Sequence, residues 1–275
     1  MRLIWVCFAA LLVGLVETAL TQDTPCCASA DEAQASADPS AASPLEQILS
    51  RLQKNALGLT SCTSQIEYLF IENPDFLGSH TLRKGQLFYL KSDGRSRVRI
   101  EFHTVKQDDF EEEKRREVYL FDGVWLTKID FALEQIDMVQ QAPEDEPIDA
   151  LDYISHRFPL VGFSGSKQFD SEFDVQIAEA DEDDDPNLIH LVLDVREDSR
   201  YHKDYKKIDF WIDNSLYLPR RVRALSTQDD IYDIRFSTIQ INKKMEKQTF
   251  TIETPAHFRK NREPLKREPQ KKGQD

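Results

Sequence analysis

Residues 97–102 read Arg-Val-Arg-Ile-Glu-Phe. Val98, Ile100 and Phe102 point one way and Arg97, Arg99 and Glu101 the other, because side chains on a strand alternate between its faces. One apolar side and one charged side describe a sheet that is dry on one face and wet on the other. The same period recurs along the chain. Glu117 to Phe121 leads into Asp122-Gly123, a favoured hairpin turn, and on into Val124 to Asp130. Ile189, Leu191, Leu193 and Val195 share a face, as do Ile208, Phe210 and Ile212 before the turn Asp213-Asn214-Ser215. With segments near 218–225, 230–241 and 247–253, about ten or eleven strands joined by short turns predict a mainly antiparallel sheet.

Two stretches break that period. Ser43-Pro44-Leu45-Glu46 is a capping box, with Ser43 as N-cap, Pro44 at N1 and Glu46 at N3. Leu45, Ile48, Leu49, Leu52 and Ala56 then recur at helical spacing on one face, and Gly58 can supply a left-handed terminator. Pro147 to His156 predicts a second helix, with Ile148, Leu151 and Ile154 on one face. The expected fold class is therefore α+β, mainly antiparallel β, with two short amphipathic helices lying against one concave, strongly curved sheet.

Composition bounds the function. The chain has 275 residues and a net charge of -14, and its pI near 4.9 argues against nucleic acid as a partner, since phosphate binding needs Lys and Arg. About 200 folded residues bury a sizeable core without disulfide staples. Met1-Arg2 followed by the apolar run Leu3 to Val16 reads as a signal peptide, too short for the ~20 residues a membrane span requires. Ala19 and Thr21 suit a cleavage after Thr21, which predicts export and a soluble mature protein. The expected organisation is a signal peptide at 1–21, a flexible linker at 22–43, one domain at 44–258, and a basic disordered tail at 259–275. That tail carries +4, leaving -18 on the remainder. Cys26, Cys27 and Cys62 would meet an oxidising compartment, as a linker disulfide or as free thiols.

Motifs for chemistry are absent. The six histidines form no HxH or HExxH pattern, no GxSxG elbow exists, and the phosphate-cradling glycine patterns are missing. The acidic run 181–185 lacks the turn glycine and closing glutamate of a calcium loop. The sequence thus points to no catalytic residue, no metal and no cofactor. The apolar concavity is the informative feature. Each buried methylene is worth about 0.8 kcal/mol, so a 16-carbon chain costs on the order of 12 kcal/mol to carry naked through water. A soluble carrier must offer a comparable apolar surface under a movable cover. Periodicity alone describes a filled core equally well.

The motif order resembles the LolA/LolB-type lipoprotein carrier family. The features are the helix PLEQILSRLQK (44–54), a polar strand (Ser64 to Glu72), and Gly85-Gln86-Leu87-Phe88-Tyr89-Leu90-Lys91. They continue with Val118 to Leu126 around Asp122-Gly123, Ile208 to Arg221 with its Leu-Pro, and Phe250 to Pro255. The resemblance implies an unclosed β-barrel with an α-helical lid, and a periplasmic, non-enzymatic carrier of lipoprotein or lipid acyl chains. It implies an inner-membrane ABC transporter as donor, an outer-membrane receptor as acceptor, and a monomeric carrier. In the family an arginine ending the Gly-x-Leu strand bonds to the lid and holds it shut. The matching position is Lys91, followed by Ser92 where a proline is usual. Long acidic insertions (107–117 and 179–186) and the basic tail are further departures.

By alternation, the expected cavity residues are Leu87, Tyr89, Val98, Ile100, Phe102, Trp125, Ile129, Phe210, Ile212 and Phe236. Leu45, Ile48, Leu52, Leu151 and Ile154 are the expected lid contacts, and Lys91 is the expected latch. The competing reading is an envelope protein-interaction module on the same fold, its interior filled with side chains.

Overall fold

The capping box forms as the sequence dictates. Ser43 Oγ accepts the Glu46 N–H at 3.2 Å, and the Glu46 carboxylate accepts the Ser43 N–H at 2.6 Å. Helix α1 follows over Pro44–Leu57, with Leu52 and Ala56 buried on its inner stripe. Gly58 ends it in a right-handed conformation, φ -79°, rather than the expected left-handed one. This computed structural model describes residues 42–157, 169–179 and 185–265. The signal peptide, nearly all of the linker, residues 158–168, most of the acidic run and the chain beyond Leu265 lie outside the described residues.

Twelve strands form one sheet: β1 Ser61–Ile71, β2 His80–Ser92, β3 Arg95–Gln107, β4 Glu113–Phe121, β5 Trp125–Asp130, β6 Gln135–Gln140, β7 Phe173–Ile177, β8 Leu188–Val195, β9 Tyr205–Asp213, β10 Pro219–Ser226, β11 Ile231–Ile241 and β12 Arg259–Glu263. Helix α2, Ala150–Arg157, and the short α3, Phe169–Glu172, lie between β6 and β7. The strand order is β12-β6-β5-β4-β3-β2-β1-β11-β10-β9-β8-β7, so the sheet is open, with β12 and β7 as its edges. Every pairing is antiparallel except β12 with β6.

The sheet is curved, and one buried cluster runs along its inner face from Leu87 on β2 to Leu191 on β8. Bulges supply the bend. One lies in β3 at His103, where the register shifts against both β2 and β4. Opposite it stands Gly85, where a Cβ would meet the Glu101 backbone and stand 2.7 Å from Phe102 Cα. Only glycine permits that approach.

Two expectations about the C-terminus fail. Residues 247–253 are not a strand: Lys247–Phe250 is a 3-10 turn followed by extended chain. Nor does the tail start at 259, because Arg259–Glu263 is the edge strand β12. Residues 242–258 connect the middle of the sheet to its far edge across the outer face. There Thr249 O accepts from Arg99 Nη1 at 2.5 Å, and Phe258 packs with Val118, Ile129 and Ile136. The strap therefore buries part of a face that alternation alone assigns to water.

Candidate functional site

Register separates the two faces. Residues directly opposite one another across a strand pair share a face. Val98, Ile100 and Phe102 oppose Tyr89, Leu87 and Gly85 on β2, and Phe121, Tyr119 and Glu117 on β4. The same face continues through Cys62 and Ile66 on β1, Phe236 and Ile234 on β11, Val222 on β10, and Phe210 and Ile208 on β9. Leu191 and Leu193 extend it to β8. The expected residues Leu87, Tyr89, Val98, Ile100, Phe102, Phe210, Ile212 and Phe236 all lie in this one cluster, at 0–3% exposure.

Two expected members do not. Trp125 and Ile129 belong to the opposite face, since Leu126 and Lys128, not they, oppose Phe121 and Tyr119. Ile129 sits in the second cluster beneath the strap. Trp125 is covered by the Arg262 guanidinium, 4.2 Å from its ring centroid, and donates Nε1–H to Glu144 at 2.8 Å. Ile129 is buried on the outer side by Phe258 of the strap and Trp125 by Arg262 of β12, and neither contact has a period to reveal it. Alternation missed inner residues for the same reason: Leu126, Ile66 and Ile234 belong to this face, and only pairing shows it.

Both helices contribute to the inner cluster. Leu52, Leu151 and Ile154 are buried in it, with Leu45 and Ile48 packed against it half-buried. Arg51 donates to Tyr217 Oη at 2.8 Å and Asn55 to Leu216 O at 2.7 Å, which fixes α1 to the β9–β10 turn. The start of α2 is Ala150 rather than Pro147, because the Asp149 carboxylate is the N-cap and accepts the Leu151 and Asp152 N–H groups.

Polar contacts hold α2 at both ends. At its N-terminus, Ser96 Oγ accepts the Ala150 N–H at 2.7 Å and donates to Asp149 Oδ2 at 3.1 Å. Tyr89 shares a hydrogen bond with the same Ser96. Toward its C-terminus, Asp152 lies 3.6 Å from Arg200, and Ser155 shares a hydrogen bond with Tyr201. Between them, Tyr153 stacks on Phe121 with ring centroids 4.2 Å apart. Ser96 lies on β3 and Arg200 in the loop before β9, so α2 crosses the concavity from one flank to the other. Lys91, the expected latch, is exposed at the end of β2 and has no hydrogen bond to either helix among the described residues. Ser96, its partner across the β2–β3 pair, does that work instead.

The inner face changes character away from α2. Tyr68, Tyr119, Tyr205 and Tyr232 line it there, with Arg83, Glu117, Lys128 and Asp130. Burial pushes the Tyr119 phenol up to about 12 and raises Tyr68 and Tyr205 as well. At the rim, a 560 Å³ cavity is lined by Tyr205, Tyr232, Lys203, Asp204, Gln228 and Asp230, among others. A second cavity of 230 Å³ lies under the strap, beside Phe88 and Thr249. Both are polar. Val98, Ile100 and Phe210 on the inner face are at 0% exposure. Cys62 packs there as a small apolar group at 1% exposure, and burial raises its thiol pKa to about 12. Among the described residues no three His, Cys, Asp or Glu side chains gather to hold a metal ion, and no helix is long and apolar enough to cross a membrane.

No protein-family model matches the chain, and no curated protein sequence does. Several solved structures do. An uncharacterized conserved protein from Thermus thermophilus aligns with 80% of this chain and 99% of its own length, at TM-score 0.46 and 11% identity. A LolA superfamily protein from Nitrosomonas europaea aligns with 77% of this chain and 99% of its own, at TM-score 0.33 and 14% identity. A chain of the Pseudomonas aeruginosa MucA/MucB complex aligns with 75% of this one at TM-score 0.38 and 15% identity, and this chain spans 60% of it. A LolA superfamily protein is thus among the solved structures the chain is similar to, at a TM-score below 0.5. These likenesses are too distant for any function to pass from those proteins to this one.

Proposed function

We propose that the protein is a non-enzymatic carrier of lipid or lipoprotein acyl chains, working in the periplasm as a monomer. The observation that carries this reading is the construction of α2. Its apolar residues Leu151 and Ile154 pack into the main buried cluster, and hydrogen bonds and an ion pair hold its ends. A filled core has no need of an exchangeable cover. Net hydrogen bonds are worth about 1 kcal/mol each, so a bound chain that replaces the contacts of Leu151 and Ile154 with its own can displace the helix at little net cost.

A carrier also has to meet membranes or membrane-bound partners. Phe76 and Leu77 on the β1–β2 loop and Phe110 on the β3–β4 loop are 82%, 63% and 72% exposed. Asp108 holds the two loops together by accepting from His80 N–H at 2.6 Å and from Ser79 Oγ at 3.3 Å. Large apolar groups clustered in water mark an interaction surface. An ABC transporter as donor and an outer-membrane receptor as acceptor are the partners this reading calls for.

The second reading, an envelope protein-interaction module, is favoured by one observation: Val98, Ile100 and Phe210 on the inner face are at 0% exposure. Titration with a fluorescent fatty acid separates the two. Ile100→Asp places a charge on the inner face and is expected to abolish binding, whereas Glu67→Gln, exposed on the outer face of β1, leaves it unchanged. Equal affinities for both variants would leave the interaction module standing. Glu101 is unsuitable as the control, because it is buried against Arg99 and Arg116.

A further inference from the structure

The charged groups on the inner face are not evenly matched. Glu117 is 4% exposed and already served: Arg115 Nε lies 3.0 Å from one of its oxygens, and the Tyr119 hydroxyl donates to the other at 3.3 Å. Asp130 takes Arg115 Nη2 at 3.3 Å and the N–H groups of Ala132 and Leu133. Arg83 is left over. It points inward from β2 between Tyr68 and Val105. Its Nε is buried, 3.9 Å from Glu117 and without a hydrogen bond. Lys128, above the Tyr119 ring at 5.7 Å, adds a second cation to the same face.

A buried guanidinium N–H without a hydrogen bond is costly to keep, and the guanidinium fork fits a carboxylate or phosphate through two parallel N–H bonds. Its place matters equally. Tyr89, which touches the latch of α2, and Arg83 are both on β2, six residues apart, about 20 Å at ~3.3 Å per residue. The inner face is therefore apolar at the α2 end and carries charged groups, Arg83 and Lys128 among them, at the other.

Resting on the carrier reading, we propose that the cargo is an amphiphile with an anionic head, its hydrocarbon under α2 and its carboxylate or phosphate held bidentate by Arg83. A fatty acid and a lysophospholipid offer the same chemistry from two sources. The full chain is titrated with palmitate, palmitoyl-lysophosphatidic acid and neutral monopalmitin, each below its micelle concentration. One or both anions bind about tenfold tighter than monopalmitin, a ratio a bidentate charged bond supplies, and the tighter anion identifies the source. Arg83→Gln brings the anions to within about twofold of monopalmitin and leaves monopalmitin unchanged. Arg83→Lys, which keeps the charge without the fork, restores part of the difference. Arg223→Gln, exposed on the outer face of β10, changes nothing. Equal affinities for all three ligands, or a preference that survives Arg83→Gln, overturns the head-group assignment while the carrier reading stands. Failure of all three to bind overturns both.

Discussion

Gly85 faces the extra residue of β3 at the point where the sheet bends, and a Cβ there would run into the Glu101 backbone. Backbone cannot swing aside as a flexible side chain can. Gly85→Ala is expected to cost about 3 kcal/mol, the upper range of overpacking in a tight site, read as a lower denaturant midpoint with an unchanged slope. A midpoint within error of wild type would show that the bulge adapts. This glycine was visible in the sequence as part of Gly85 to Lys91, but its reason was not, because the close approach exists only once β2 and β3 pair. The misplacement of Trp125 and Ile129 has the same origin: alternation says that two faces differ, and only the neighbouring strands say which face is concave.

Helix α1 was legible down to its cap, because a capping box is local and satisfies N–H groups within a single turn. Helix α2 was legible only in part. Its apolar stripe predicted Leu151 and Ile154 correctly as inward residues, yet its N-cap is Asp149 and its anchor, Ser96, lies more than fifty residues upstream. No spacing rule reports such a contact, and the expectation settled on Lys91 instead. Ser96→Ala removes an acceptor from Ala150 N–H and a donor to Asp149, which is expected to cost about 1–2 kcal/mol. The loss should fall on α2, since local openings draw on the contacts of their own segment. Hydrogen exchange at residues 151–155 is expected to speed up roughly tenfold, with exchange in β1 and β11 unaltered. A uniform change across the sheet would mean that Ser96 supports the whole fold and not the lid. Leu52→Ala, in contrast, is expected to lower global stability by about 3 kcal/mol, as removal of a well-buried leucine does, and chemical denaturation checks it.

Across the whole molecule, the buried phenols and the thiol tie stability to alkaline pH. Burial raises Tyr68, Tyr119, Tyr205 and Cys62 above their ordinary values. In the unfolded chain they ionise near 10 for tyrosine and about 8.5 for cysteine. Above about pH 9 the unfolded state therefore holds fewer protons than the native one, and stability falls as pH rises. Thermal unfolding should show Tm declining steadily from about pH 9 to 11, and Tyr68→Phe should soften the decline. A flat Tm over that range would contradict the burial described for these groups.

At the same scale, the central claim is that the apolar face beneath α2 opens to hydrocarbon. The most direct measurement is native mass spectrometry of the protein purified from the cell envelope without detergent, followed by extraction and identification of bound lipid. The account expects a population carrying acyl-chain lipid, lost in the Ile100→Asp variant while the fold persists by circular dichroism. Wild-type protein that emerges lipid-free, and stays so after incubation with vesicles, would contradict it.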